Sequence, residues 1–334
     1  MTPTVVFDSY WRFAAERLAM FYRRYSNPCG PWTSDPILGT YRFTNSYRAA
    51  DRVSQYLIRE VQAGTDRPKT PQEVFFRTML FKIFNRIDTW ESLETRLGPL
   101  EWRRADLGEL DRTLEDLRLR GRKIYSAAYI MPSPAFGHQR KHSNHIALLG
   151  QMMDDRVPER VRQLPSLRSV YDLILSYPGI GPFLAFQYTI DLNYSSVMGF
   201  DEADFVVAGP GALDGISKCF VDVGNMKAED VIHWMTDRQE AEFKRLGLEF
   251  PGLFGRRLQP IDCQNLFCEI SKYARVAHPE VSGIAKRTRI KQSYKPSSRP
   301  APPPKFPERW GLNTAGVLPK HSEARNETLQ PSFF

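Results

Sequence analysis

The residues best suited to chemistry are the tetrapeptide Pro178-Gly179-Ile180-Gly181 and the acids that follow it, Asp201, Asp204 and Asp214. Two glycines around one apolar residue predict a tight turn between helices, because glycine reaches backbone angles closed to other residues and lets another backbone approach. Pro182 suits the first turn of the second helix. The amides of Gly179, Ile180 and Gly181 would then form a site for one phosphate. A plain helix–helix turn has the same composition, so the tetrapeptide alone leaves both readings open.

The acids extend that chemistry. Asp204 opens the apolar run "FVVAG", which would hold its carboxylate at a cavity edge. There it could accept a proton from an incoming nucleophile, or stabilise an oxocarbenium-like sugar. Asp201 and Asp214 compete for the role, and each of the three could instead cap a helix. Asp204 ranks first.

The next stretch, "GPGALDG", offers Gly209 and Gly211 as a backbone cradle for a phosphate, with Lys218 one turn beyond. A simple turn into a helix is the alternative. Arg42, Arg48 and Arg52 lie with Asn45, Asp51 and Gln55 in "YRFTNSYRAADRVSQ". The planar fork of arginine suits a phosphate or pyrophosphate, and Arg42 and Arg52 are the candidates to receive it. The same set could be an Asp–Arg network tying two lobes together. Gln264 and Asn265 could read a base edge or bridge helices, while Asp262 is most simply a cap. His138, His142 and His145 would share a face on a helix. Gly137 and Ser143-Asn144 predict a solvated basic loop instead, so no metal centre is expected, and no pattern demands a cofactor.

Helices must position these groups, since the apolar residues recur at helical spacing through most of the chain. Tyr10, Ala14, Leu18, Phe21 and Tyr25 mark one helix, and Val53, Tyr56, Leu57 and Val61 another. Phe76, Leu80, Ile83, Phe84 and Ile87 form a wide stripe, and Leu107, Leu110, Leu114 and Leu117 a narrower one. Val170, Tyr171 and Ile174 precede the tetrapeptide; Phe183, Phe186 and Ile190 follow it. Leu266, Ile270 and Tyr273 mark a late helix. Strand patterns are nearly absent, with short extended candidates at 40–43 and 204–209. The main loops are expected at 26–36 and 131–145.

The expected organisation is a mainly α, two-lobed unit over 8–285. A basic, Pro-rich tail over 286–334 is too poor in aliphatics to offset its ordering entropy, so it should be mostly disordered, although Trp310 is placed to dock back. Hydrophobic content of 42% is that of a globular protein, and the net charge of +8 suits an anionic partner such as nucleic acid. No apolar run is long enough to span a bilayer, and the N-terminus lacks the pattern of a signal peptide. Cys29, Cys219, Cys263 and Cys268 make no CxxC pair and read as reduced thiols. The expected location is intracellular: the nucleus in a eukaryote, otherwise the cytoplasm.

Two resemblances sharpen this. "YPGIGP" resembles the turn of the helix-hairpin-helix DNA glycosylases, whose catalytic Asp lies twenty residues beyond the second glycine. That count from Gly181 reaches Asp201, with Asp204 three further on. Where the bifunctional members carry a lysine this chain has Phe183, which argues against a β-lyase using a Schiff base. The segment "DEADFVVAGPGALDG" also departs from the family's usual acid-then-helix pattern.

A broader likeness runs through "YRFTNSYRAADRVSQYLI", "FFRTMLFKIFNRIDTWE", "PGIGPFLAFQYTIDLNYS", "DFVVAGPGALDGISKCF" and "IDCQNLFCEISKYARV". Together these resemble the helical family named for the 5-hydroxymethyl-deoxyuridine DNA kinase, related to the putrescinyl/glutamyl-thymine pyrophosphorylases. That resemblance implies a glycosylase-like helical fold. It also implies DNA as partner, with a kinase of the same pathway, and action on or recognition of a modified pyrimidine. Displacement of pyrophosphate from the activated base, monofunctional base excision and non-catalytic DNA recognition all remain open. The chain has no GxxxxGK[ST] sequence and so no recognisable P-loop of its own.

Overall fold

A computed structural model describes residues 1–295 and 301–314. The first helices are α1 (Val5–Ser26), α2 (Pro36–Thr40), α3 (Arg52–Tyr56, continuing as a π-helical turn over Leu57–Gln62), α4 (Pro71–Phe84) and α5 (Ile87–Leu97). Then come α6 (Leu107–Leu119), α7 (Lys141–Asp154), α8 (Val157–Gln163), α9 (Leu167–Leu175) and α10 (Pro182–Asn193). The last three are α11 (Pro210–Cys219), α12 (Ala228–Arg245) and α13 (Pro260–Ala277). The fold is mainly α, as the helical periodicities predict. Strand is confined, among the described residues, to β1 (Thr2–Pro3) paired antiparallel with β2 (Phe220–Asp222).

Neither expected extended segment joins a sheet. Residues 204–209 run without a partner strand, with Val206 buried and the Ala208 amide donating to Glu229 Oε1 at 2.9 Å. Tyr41 makes only an isolated bridge to Ser293. The stripe that ends in Ile87 is also two helices. Asn85 takes the left-handed conformation (φ 48°) and closes α4, so Ile87 opens α5.

Packing divides the helices into two sets. One is α3 through α10, with α4 against α7, α8 and α10. The other gathers α1, α11 and α12 around α13. Its tightest contact is α11 on α13, where a Cβ on Gly215 would collide with the backbone carbonyl of Phe267. The 3-10 turn Arg48–Ala50 contacts both α13 and α3 and so joins the two sets.

The segment after 286 stays close to the body where it is described. Tyr294 N donates to Thr40 O, and Lys305 N to Gln55 Oε1, each at 2.9 Å. Phe306 is buried and stacks on Trp310, which in turn meets Tyr194 edge-on at 5.7 Å. Trp310 therefore docks. The rest of the expected disorder falls on 296–300 and 315–334, outside the described residues.

Candidate functional site

Arg48, at the joint between the two sets of helices, organises a buried charged centre. Its backbone amide donates to Asp262 Oδ1 of α13 at 2.9 Å. Its guanidinium crosses to α10, with Nη1 and Nη2 on the two oxygens of Asp191 at 2.8 and 2.9 Å and Nε on Gln187 Oε1 at 2.8 Å. From α4, the Lys82 ammonium reaches Asp191 Oδ2 at 3.1 Å and Asn85 Oδ1 at 2.8 Å. Arg48, Lys82 and Asp191 are all at most 3% exposed.

Two cations on one carboxylate leave this triad with a net positive charge. Burial alone would lower the Arg48 guanidinium, but Asp191 outweighs it and holds it well above its ordinary value. Burial alone would raise the Asp191 carboxyl, but Arg48 and then Lys82 hold it below the usual range. Burial lowers the Lys82 ammonium, with Asp191 opposing. Such a group is tolerated inside a protein only because each charge is paired and hydrogen-bonded.

Tyr129 covers the centre. Its ring lies 4.9 Å from the Lys82 nitrogen and stacks on Phe183, with centroids 5.8 Å apart and planes 7° from parallel. Tyr129 holds φ 57°, an uncommon conformation for a bulky side chain. Burial pushes its phenol up to about 12, with Arg48 opposing and Asp191 and Asp51 adding to the rise. Both Tyr129 and Phe183 are half-buried, so this aromatic pair is the outer boundary of the charged centre.

The hairpin lies beside that pair. Gly179 has φ 79°, and a Cβ there would press on Pro134, in the loop that also carries Tyr129. Gly181 caps α10 with Pro182 in its first turn, placing Phe183 at the second helical position. Gly209 caps α11 with nearly the same angles and with Pro210 in its first turn, and a Cβ on it would strike the Phe183 ring. Two helix starts without a side-chain cap therefore meet at Phe183. Ile180 is buried beneath the turn, its amide bonded to Tyr177 O at 3.3 Å.

The other expected residues are dispersed. Asp201 and Asp204 are exposed in the loop between α10 and α11. Asp201 accepts from Ala203 N at 3.0 Å, whereas Asp204 has no hydrogen bond or ion pair among the described residues. Asp214 is buried in α11, bonded to Ser271 Oγ at 2.5 Å and Ala285 N at 2.7 Å. Lys218 is buried with it and donates to Ser271 O at 3.0 Å. Gly211 lies under Cys268. Arg42 and Arg52 are exposed, and the arginine drawn into the centre is Arg48 between them. Gln264 and Asn265 are buried: Asn265 donates to Thr44 Oγ1 and Asn45 O at 3.0 and 3.1 Å, and Gln264 reaches Cys268 Sγ at 3.6 Å.

The histidines correct the sequence reading. The loop ends at Arg140, and α7 begins at Lys141 because Asn144 turns back on the loop, accepting from the amides of Phe136 and His138. His142 and His145 are buried on α7, not solvated. His142 faces Asp111 and Glu115 of α6 at 3.3 and 3.5 Å, and His145 bonds Tyr125 Oη at 2.8 Å. No group of three or more metal-ligating side chains forms among the described residues. No helix among them is long and apolar enough to cross a membrane.

Lys82, Asp191, Gln187 and Tyr129 were not singled out from sequence. A signal existed: the first three lie in α4 and α10, helices buried on nearly every side, where a polar residue must have a partner.

The site and fold define a mainly helical domain with a buried cationic centre behind an aromatic pair, beside a glycine turn. Residues 4–283 match the model of the 5-hmdU DNA kinase helical domain, and the chain belongs to that family. It is 28% identical over 294 residues to the 5-hmdU DNA kinase of Bacillus phage SP10, covering 81% of this chain and 45% of that protein. The chain thus spans less than half the length of this relative. No solved structure matches it.

Proposed function

We propose that this domain recognises a hydroxymethyluracil-type base in DNA and acts on it in a base-hypermodification system. The observation that carries the reading is the Tyr129–Phe183 stack over the Lys82–Asp191–Arg48 centre, in a chain of the 5-hmdU DNA kinase helical family. A base rotated out of the duplex needs an aromatic face to replace its lost stacking. A fixed positive centre behind that face would favour negative charge on the base or on a phosphorylated substituent. The amides of Gly179 and Gly181 would hold the flanking phosphate, in the manner of a glycosylase-like hairpin, while that of Ile180 is taken by Tyr177 O.

Asp204 is the proposed acid–base residue, since its carboxylate is exposed and unengaged. Displacement of pyrophosphate from an activated base fits this arrangement. A second reading, a recognition module serving a kinase, is favoured by the triad itself. Arg48, Lys82 and Asp191 satisfy one another, so none stands free as a nucleophile.

The test is binding to matched duplexes containing thymine or 5-hydroxymethyluracil, followed by mass spectrometry of the nucleosides. Binding should favour the modified duplex and weaken with salt as counterions are released. Replacing Tyr129 or Phe183 by alanine should cost about 1–3 kcal/mol of affinity. Equal, salt-indifferent binding to both duplexes would defeat the proposal.

A further inference from the structure

A pocket of about 200 Å³ opens at the turn between α4 and α5. Arg86, Arg122 and Lys123 line it, with Asp88 and the hydroxyl residues Thr89 and Ser92. Three cations thus face one carboxylate. Asp88 pairs with Arg86. Among the described residues the Arg122 side chain is held only by the Ser92 hydroxyl, from Nη1 at 3.0 Å, and its backbone amide bonds Leu117 O. Lys123 is exposed and has no acid partner among the described residues. The Arg86 Nε–H is buried without an acceptor among the described residues. No side chain caps the start of α5 beside it.

We infer that this pocket is a phosphate-binding site, separate from the charged centre at Lys82. Like-charged guanidinium and ammonium groups converge in one small concavity only at an electrostatic cost, which a phosphate oxygen cluster relieves. Arginine forks and short hydroxyls are the donors that suit its tetrahedral array. The volume admits a phosphate with its first waters, at about 30 Å³ for each water.

The placement also has a consequence for DNA. Arg86 follows Asn85, which accepts the Lys82 ammonium. Lys123 precedes Ile124, whose carbonyl takes the Thr89 hydroxyl, and the chain then runs on to Tyr129. A phosphate in the pocket therefore braces both segments that build the aromatic-covered centre. If the DNA-binding reading above holds, the phosphate belongs to the DNA backbone near the recognised base.

The test uses the full chain and its Arg122→Gln/Lys123→Gln variant. Both positions are exposed and outside the proposed site, so the variant should fold. Two readings are taken: thermal stabilisation by inorganic phosphate against chloride at fixed ionic strength, and the salt dependence of duplex binding. The pocket predicts phosphate stabilisation in the parent that is lost in the variant. For a DNA backbone phosphate, the log–log salt slope also falls by about one to two and low-salt affinity by about tenfold. Loss of the phosphate effect with unchanged DNA binding would assign the pocket to a free phosphate compound. A phosphate effect in a parent that binds no DNA would keep the pocket and defeat the DNA reading. Identical parent and variant in both measurements would overturn the inference.

Discussion

Glu202 should make the stability of this domain fall as pH rises toward neutrality. It sits in the loop that carries Asp201 and Asp204, only 2% exposed, with Arg256 Nη2 at 3.6 Å and Arg309 Nη2 at 3.7 Å. Burial outweighs both arginines and pushes its carboxyl up to about 7, from an ordinary value of 4.5. Between those values the folded chain holds a proton that the unfolded chain has released. The stabilisation is therefore complete below about 4.5 and lost as pH rises through about 7. The interval corresponds to about 3 kcal/mol, a large part of the roughly 5–15 kcal/mol typical of a domain. Asp262 is pushed up to about 6 by its burial and adds a loss of the same sign at lower pH. The assay is urea unfolding of the full chain at intervals from pH 5 to 8, for the parent and for Glu202→Gln. The parent should weaken most clearly between about pH 6.5 and 7.5, because at lower pH His145, whose imidazole burial holds down to about 4, contributes with the opposite sign. The variant should keep the decline due to Asp262 and lose most of the decline above pH 6. Equal slopes above pH 6 would refute the reasoning, because they would mean that Glu202 titrates as an ordinary exposed acid.

Three further outcomes are expected. Asp191→Asn strands Arg48 and Lys82 inside the protein, so it should cost about 3–5 kcal/mol in urea unfolding, whereas Arg48→Met/Lys82→Met/Asp191→Leu should recover much of that loss. An Asp191→Asn variant as stable as the parent would show that the centre is hydrated. Gly215→Ala should lose more than about 2 kcal/mol by the same measurement, although alanine is the better helix former, because its methyl group meets the α13 backbone at Phe267. Asp204→Asn should preserve folding and DNA binding but slow turnover of modified DNA by about a hundredfold or more, with Asp201→Asn milder, as expected for a positioned general base. Undiminished turnover in Asp204→Asn, read by nucleoside mass spectrometry, would remove the acid–base role.

What the sequence made legible was whatever depends on neighbours along the chain. The apolar period placed α1, α4, α6, α9, α10 and α13, because a helix face is written in residues three and four apart. The tetrapeptide turn was legible for the same reason, since Gly179 and Pro182 act on their own backbone. The charged centre was not, because Arg48, Lys82 and Asp191 come from three separate segments and none is unusual locally. "YRAADR" reads equally as a phosphate site or as an Asp–Arg network tying two lobes, and the acid that decides for Arg48 is Asp191, on a helix far along the chain. His142 was misplaced likewise: the acids that face it belong to α6, far back in sequence. Yet the composition of α10 already held a constraint. In "PFLAFQYTIDLN" no face is polar, so Gln187 and Asp191 could not both turn to water, and a buried aspartate requires a cation. The long apolar helix α4 offers two, Arg77 and Lys82, and Arg77 is taken by the carbonyls of Val61 and Pro68. An acid and a base that must each be buried in different helices of one small domain are each other's most economical solution. Their meeting point, rather than any single motif, is where the two sets of helices are tied together.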